Sequence, residues 1–465
     1  MHILNKESFS MLPRFRIIAI LCLISSLARF VLDSYLPSMP AISQSFAISD
    51  TQTQFTLTLY LLGFSISQLI YGPLSDRYGR RSIIIVGLGI FAFGNLMCAM
   101  ANSLSILLVA RLIAGVGAGS CGVLNRAIAS DCFKGAEFSK AWSYTTTSLV
   151  ITLCVAPVLG GYIQEIWGWR ANFMLTTLFV AVVLSLIFKY LPETNTHLHS
   201  QKSSLKLKDI LQDYNTILAS RTFLTGALCY TLAFSGLIAY FQVSPLLFIN
   251  NFKLSPSEYG WCSLVIAANY LVGGMVVTKF ATRMGTQVLL LIGTFFLILG
   301  GLLMWLAYAF NYSGVSAVLF PAAVYVIGAR IVIPNAIAGA MEKLRHLNGS
   351  SSALIGCIQM LGSFVISLII ANFNNTTAFP LSLVLITMGI LTLGISLLDM
   401  RRQIAEWVSQ SMLWNRIWMN NTLHIIRIII ILFAILCNPR FFTICKNSPY
   451  IFCVTETVFQ IISHT

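Results

Sequence analysis

The sequence predicts an all-α integral membrane protein whose twelve transmembrane helices form two pseudo-symmetric six-helix bundles. Three observations carry that expectation. The chain of 465 residues is 57% hydrophobic and only 9% charged, with a mean hydropathy of +0.82, whereas a soluble protein is about 25% charged. Its apolar residues fall in blocks of roughly 18–25, the length of helix that crosses a hydrocarbon core. The basic residues also avoid alternate loops, which is the positive-inside pattern of a multi-pass chain.

Taken in order, the first six spans are expected at 16–37, 54–73, 82–100, 104–127, 141–163 and 171–191. The first follows Arg14 and Arg16 as a signal peptide would. It ends in Tyr35-Leu36-Pro37 without a small-x-small cleavage site, and so reads as an uncleaved helix. A polar segment follows, with His197, His199, Lys202, Lys206, Lys208, Asp209 and Asp213. The second six spans are expected at 222–248, 258–279, 287–310, 314–340, 352–372 and 379–398. The chain therefore divides into a bundle at 1–195, a cytoplasmic central loop at 196–220, a second bundle at 221–402 and an atypical tail at 403–465. Each half carries a polar turn between its second and third helices: Asp76-Arg77-Tyr78-Gly79-Arg80-Arg81, and the weaker Thr282-Arg283-Met284-Gly285. Two similar halves around a central loop are a common design of secondary carriers, with the site near the midplane. Two unrelated bundles are the alternative. The tail has Trp407, Trp414 and Trp418 and a short apolar run at Ile425–Cys437, too short to span comfortably, and reads as accessory sequence.

With the N-terminus in the cytoplasm, Lys and Arg crowd the inner segments, and the outer loops hold only Arg170 and Lys253. The end of span 12 then also lies in the cytoplasm. The net charge of +14 is a topology signal, and no nucleic-acid partner is expected. The eleven cysteines are scattered without a C-x-x-C pair, so they read as packing residues, and no metal site is expected. No nucleophile–base set suggests an enzyme.

Ionisable groups inside spans are costly and point to function. Of the 15 acidic residues, Asp33 alone lies inside an expected span, along with Arg29, Arg111 and Arg330. Asp33 is expected about one turn from the outer end of helix 1 and Arg111 about two turns from the outer end of helix 4, at similar depth. Arg29 lies four residues before Asp33 on the same face. Desolvation raises a carboxylate's pKa and a guanidinium lowers it, so such a group is poised to exchange a proton. A static ion pair fixing helices 1 and 4 is the other reading. Gly115, Gly117 and Gly119, and Pro157 before Gly160-Gly161, mark close helix approach. Tyr35, Tyr60, Phe234, Tyr240 and Phe241 are candidates to line a promiscuous cavity, with plain packing as the alternative for each.

Gly72-Pro73-Leu74-Ser75-Asp76-Arg77-Tyr78-Gly79-Arg80-Arg81 resembles the loop 2–3 signature of the major facilitator superfamily. Arg111 with Gly115 resembles the helix-4 motif of its drug/proton antiporters. Ala156-Pro157-Val158-Leu159-Gly160-Gly161 resembles their helix-5 motif, with Ala156 where many members have Gly. Asp33-Ser34-Tyr35-Leu36-Pro37, Arg126-Ala127-Ile128, Gly168-Trp169-Arg170 with Phe173, Leu191-Pro192-Glu193-Thr194, Pro334-Asn335-Ala336 and Gln359 resemble the Bcr/CflA subgroup, named for bicyclomycin and chloramphenicol resistance. The resemblance covers roughly residues 15–400. Ser130 departs from it, standing where the subgroup tends to have Arg, as do Arg330 and the tail.

The resemblance implies a proton-coupled drug efflux transporter of the bacterial inner membrane, functional as a monomer, with no cofactor beyond the coupling proton. Asp33 would exchange its proton for a small lipophilic drug-like substrate, with Arg111 and Arg29 answering to its charge. Gly72, Asp76, Arg77, Gly79, Arg80 and Arg81, with Arg126 and Asp131, would form a cytoplasmic latch between the halves. Pro157, Gly160 and Gly161 would form the antiporter motif, and Asn335 and Gln359 would join the aromatic residues in the cavity. A proton-coupled symporter or facilitator of a small metabolite is the second reading.

Overall fold

In a hydrocarbon phase every backbone N–H and C=O must be satisfied within its own segment, so long apolar runs fold as helices. The computed structural model describes residues 11–195, 207–341, 348–373 and 377–414. It contains twelve helices long and apolar enough to cross a membrane. Spans 1 to 6 are Arg14–Phe46, Asp50–Tyr78, Arg80–Ala99, Leu104–Cys132, Glu137–Trp167 and Trp169–Tyr190. Spans 7 to 12 are Arg221–Asn251, Pro256–Ala281, Arg283–Ala309, Val315–Met341, Ser350–Ala371 and Phe379–Arg402.

Spans 1 and 7 pass prolines near their ends by changing helix type. Span 1 does not stop at Pro37. It tightens into a 3₁₀ turn over Leu36–Ser38 and continues as helix over Met39–Phe46. Pro37 and Pro40 each fall in the first turn of a new segment, where the missing N–H is not needed. The helix ends at Ala47 (φ 51°), whose N–H bonds to the Gln44 carbonyl. Asp33 is consequently followed by more than three turns of helix, not one. Span 7 likewise passes Pro245 by widening into a π-turn over Leu246–Asn251.

The two halves repeat the same local devices. Span 2 opens with a capping box between Ser49 and Gln52, and span 8 with one between Ser255 and Glu258. A glycine with positive φ marks the turn after each of these spans, Gly79 (φ 93°) and Gly285 (φ 74°), a geometry that side-chain-bearing residues resist. The weak turn of the second half therefore has the same conformation as the strong one of the first.

Leu21, Leu61, Leu88, Phe91 and Leu124 centre the core of the first half. The other large core gathers Val243, Phe248, Leu297, Val326 and Leu385 from the second half and takes in Tyr35, Leu36 and Met39 of span 1. The first span is thus shared between the halves. Phe93, Leu178, Phe295 and Phe320 are exposed, the outward apolar surface that lipid requires. Within the expected central loop, Leu207–Ala219 is helical. It buries Ile217 against Phe223, Ala227, Leu354 and Ile355. Burial pushes its Tyr214 hydroxyl up to about 12, so the group stays a donor, to the Leu69 carbonyl at 3.5 Å.

Residues up to Met400 form one compact unit, and a second begins at Arg401, helical as far as Trp414. Trp418 and the run at Ile425–Cys437 lie outside the described residues, as do His197, His199, Lys202 and Lys206.

Candidate functional site

Asp33 is buried, and its Oδ2 accepts from Arg29 Nε at 2.6 Å. The spacing of four residues along one helix face brings the two together. The Arg29 guanidinium also lies 5.1 Å from the ring centre of Phe241 on span 7. The ion pair of the first half therefore sits against the second half. Tyr60 of span 2 and Tyr259 of span 8 lie within electrostatic reach of the carboxylate.

Arg111 is not the partner of Asp33. Among the described residues no ion pair joins them, and the acid is taken by Arg29. Arg111 has no solvent exposure, and its guanidinium is held between the rings of Tyr35 (4.4 Å), Tyr60 (4.6 Å) and Phe173 (5.7 Å). Its Nε donates to the Thr56 carbonyl at 3.3 Å, while Nη1 and Nη2 have no hydrogen-bond partner among the described residues. Aromatic faces stabilise a desolvated cation by about 2 kcal/mol or more. That these rings surround Arg111 was not legible in the chain, because they come from spans 1, 2 and 6.

The helix-5 motif closes one face of the molecule. Gly160 packs on the Ser34 carbonyl and Gly161 on that of Pro256, while Gly260 meets the carbonyl of Pro157, leaving no room for a Cβ at any of the three. Spans 5 and 8 therefore touch backbone to backbone. Glu165 accepts from the Ser257 N–H at 2.9 Å, and Trp261 Nε1 donates to Tyr162 at 3.2 Å. Spans 2 and 11 are joined by Thr58 with Ser367 at 2.6 Å and by Ser65 donating to the Cys357 carbonyl at 3.1 Å. Gln242 donates to Gln54 at 2.9 Å across the same seam.

At the opposite face, where the basic loop 2–3 lies, a cavity of about 810 Å³ opens between the halves. Gly72, Asp76, Arg80, Arg126, Trp142, Asp213, Tyr214 and Ser352 are among its lining residues. The expected latch residues are brought together here, but within the first half. Arg80 pairs with Asp76 at 2.6 Å and with Asp131 at 3.1 Å. Glu193 caps span 3 by accepting from the Arg80 and Arg81 N–H groups at 2.8 and 3.1 Å. Arg81 Nη2 donates to the Phe188 carbonyl, and Arg77 lies over Tyr78. Among the described residues, Arg126 is the one of this set with a hydrogen bond across, donating to Ser352 of span 11, and the loop 2–3 arginines have their partners in the first half.

None of the seven expected cavity residues lines that opening. Tyr35 and Tyr60 build the Arg111 cage, and Tyr35 also hydrogen-bonds Thr56. Phe241 underlies Arg29 and meets Tyr240 edge-on at 5.4 Å, while Phe234 lies tilted against Tyr230 at 6.2 Å. Asn335 donates to the Ile331 carbonyl, and the Gln359 carbonyl accepts from Ser363. Phe173 and Glu193 were visible in short motifs without a role. Thr56, Trp142, Gln242 and Ser352 gave no local signal.

The family model described as Major Facilitator Superfamily matches residues 19–367. The chain is 28% identical over 390 residues to the multidrug resistance protein D of Escherichia coli (strain K12), covering 81% of this chain and 93% of that protein. It is 27% identical over 376 residues to the bicyclomycin resistance protein homolog of Haemophilus influenzae, again covering 81% and 93%. A solved D-xylose-proton symporter superposes with a TM-score of 0.67 at 15% identity, over 82% of this chain and 97% of that one, a likeness of fold. The chain belongs to the Major Facilitator Superfamily, and is a multi-pass membrane transporter rather than an enzyme.

Proposed function

We propose that this chain is a proton-coupled efflux carrier of small lipophilic drug-like molecules, of the Bcr/CflA kind. It would work as a monomer in a bacterial inner membrane, with the N-terminus and the end of span 12 in the cytoplasm. The observation that carries the reading is the buried Asp33–Arg29 pair at the seam between the halves. The named drug-resistance relatives support the substrate class.

In this reading the proton binds at the Asp33 carboxylate and removes its charge. Arg29 then loses its counterion and is left against Phe241, so the packing of span 1 on span 7 depends on the protonation state. A buried cation without a partner is costly, and the halves rock to relieve it. Drug entering from the basic face displaces the proton to that same face, and after the drug leaves on the other side Asp33 is protonated again from there.

Asp33→Asn keeps size and polarity but does not titrate. It should insert in the membrane yet lose proton-driven efflux. Breaking a buried pair costs on the order of 3–5 kcal/mol, less where one partner keeps some exposure as Arg29 does. Adding Arg29→Gln should therefore restore stability without restoring transport. Drug accumulation in a pump-deficient host with and without a protonophore, alongside thermal unfolding of the purified variants, separates the two roles. Wild-type proton-driven efflux by Asp33→Asn would falsify the mechanism. Proton-driven uptake of a metabolite with no drug efflux would replace it with symport.

A further inference from the structure

A second pocket, of about 340 Å³, lies at the basic face and shares no lining residue with the cavity between the halves. It is built by the first half, where span 1 begins, span 3 begins and span 6 ends. Each of these ends contributes a cation: Arg16, Arg81 and Lys189. Tyr190 also lines the pocket, its ring centre 5.3 Å from the Arg16 guanidinium and 5.3 Å from Lys189 Nζ. Arg81 Nη2 donates to the Phe188 carbonyl at 2.7 Å, which fixes that side chain against the end of span 6. Its buried Nε has no hydrogen-bond partner among the described residues. Among the same residues, none of the three cations has a carboxylate within ion-pair distance. The nearby acids are engaged elsewhere, Glu193 by the N–H groups of Arg80 and Arg81, and Glu137 by Arg14 at 2.8 Å.

The positive-inside rule requires only that basic residues stay on one side of the bilayer. It does not require three of them to line one small pocket, where like charges repel until an anion lies among them. Guanidinium donors match phosphate oxygens, and basic pockets between transmembrane helices take anionic headgroups. The helix ends place this pocket at the level of the headgroups. Within about two turns of it, spans 3 and 6 expose Val86, Val182 and Phe188, an apolar path for acyl chains. We propose that the pocket binds the headgroup phosphate of an anionic phospholipid of the phosphatidylglycerol type, with its acyl chains laid along spans 3 and 6. The site stands apart from Asp33 and from the cavity, so it does not depend on the direction of transport. Arg81 directly follows Arg80, which holds both Asp76 and Asp131, so the bound lipid braces the turn between spans 2 and 3.

The test titrates phosphatidylglycerol and phosphatidylcholine of matched acyl chains onto the purified full chain in detergent, with bound lipid counted by native mass spectrometry. Each basic residue near an anionic headgroup changes affinity by about fivefold. Arg16→Gln combined with Lys189→Gln should therefore weaken binding of the first phosphatidylglycerol by about twentyfold or more. Both side chains are exposed, so the fold tolerates their loss. The charge-conserving pair Arg16→Lys with Lys189→Arg should stay within about threefold of wild type. So should Lys134→Gln with Lys140→Gln, at exposed basic positions of the same face outside the pocket. Equal weakening by the two Gln pairs would overturn the proposal and assign binding to the general charge of the face. Unchanged affinity in Arg16→Gln with Lys189→Gln, or phosphatidylcholine bound as tightly as phosphatidylglycerol, would each overturn it. Displacement of the lipid by an equal concentration of inorganic phosphate would overturn it as well, because a soluble anion makes no use of the apolar path.

Discussion

Arg111 sits in the membrane core with aromatic faces, not a carboxylate, around its charge. The cage makes a prediction that separates ring from hydroxyl. The Tyr60 hydroxyl is buried and has no hydrogen-bond partner among the described residues, so it contributes a desolvation penalty and no bond. Tyr60→Phe should leave the thermal unfolding midpoint in detergent unchanged or raised. Tyr60→Leu removes the face over the guanidinium and should cost about 2 kcal/mol or more. Equal losses in the two variants would show that the hydroxyl, not the ring, holds Arg111. Asp33 teaches the same lesson from the other side. Its i−4 neighbour Arg29 was legible in the chain, because the period of a helix fixes that contact locally. The absence of Arg111 from its surroundings depends on which side chains fill the space between spans 1 and 4.

Span 5 presents two adjacent glycines to different neighbours. Gly160 meets span 1 of its own half, whereas Gly161 meets span 8 of the other. A methyl group at either position collides with backbone, and overpacking of this kind costs typically about 1–3 kcal/mol. The consequences should differ. Gly160→Ala is expected to lower the stability of the first bundle, read as a lower unfolding midpoint. Gly161→Ala is expected to leave that midpoint nearly unchanged and to push the halves apart at the face opposite the basic loops. Spin labels at positions 165 and 258, in a cysteine-depleted background, would then show a longer distance population in Gly161→Ala alone. An unaltered distance distribution would mean that the 5–8 contact does not hold this face closed.

For the molecule as a whole, the seam consists of many small polar contacts rather than one large one: Thr58 with Ser367, Ser65 with Cys357, Gln54 with Gln242 and Arg126 with Ser352. The helix Leu207–Ala219 packs largely on the second half through Ile217. The first half has a core largely of its own, while the other large core draws on both halves. Co-expressed fragments 1–200 and 201–465 should therefore assemble and co-purify, with the stoichiometry measured by native mass spectrometry. Recovery of either fragment alone, with the other degraded, would show that the covalent link is needed for the halves to fold.

The amino-acid sequence by itself determined the twelve spans, the division into halves, the repeated turns at Gly79 and Gly285, and Asp33 as the intramembrane acid. These follow from segment length, composition and helical period, which are local properties that lipid as a solvent enforces one helix at a time. Only the tertiary structure decided the partners between helices. It kept Arg111 out of the Asp33 pairing and surrounded it with rings. Among the described residues it gave the loop 2–3 arginines partners in the first half, and it laid Arg126 over Trp142 and Arg330 over Tyr270. Those choices depend on how helices far apart in sequence face one another. The same physics explains the run-on of span 1 past Pro37. A proline read in isolation is a stop, yet with Met39 and Ile42 buried in the core shared by the two halves, the chain turns tightly and remains a helix.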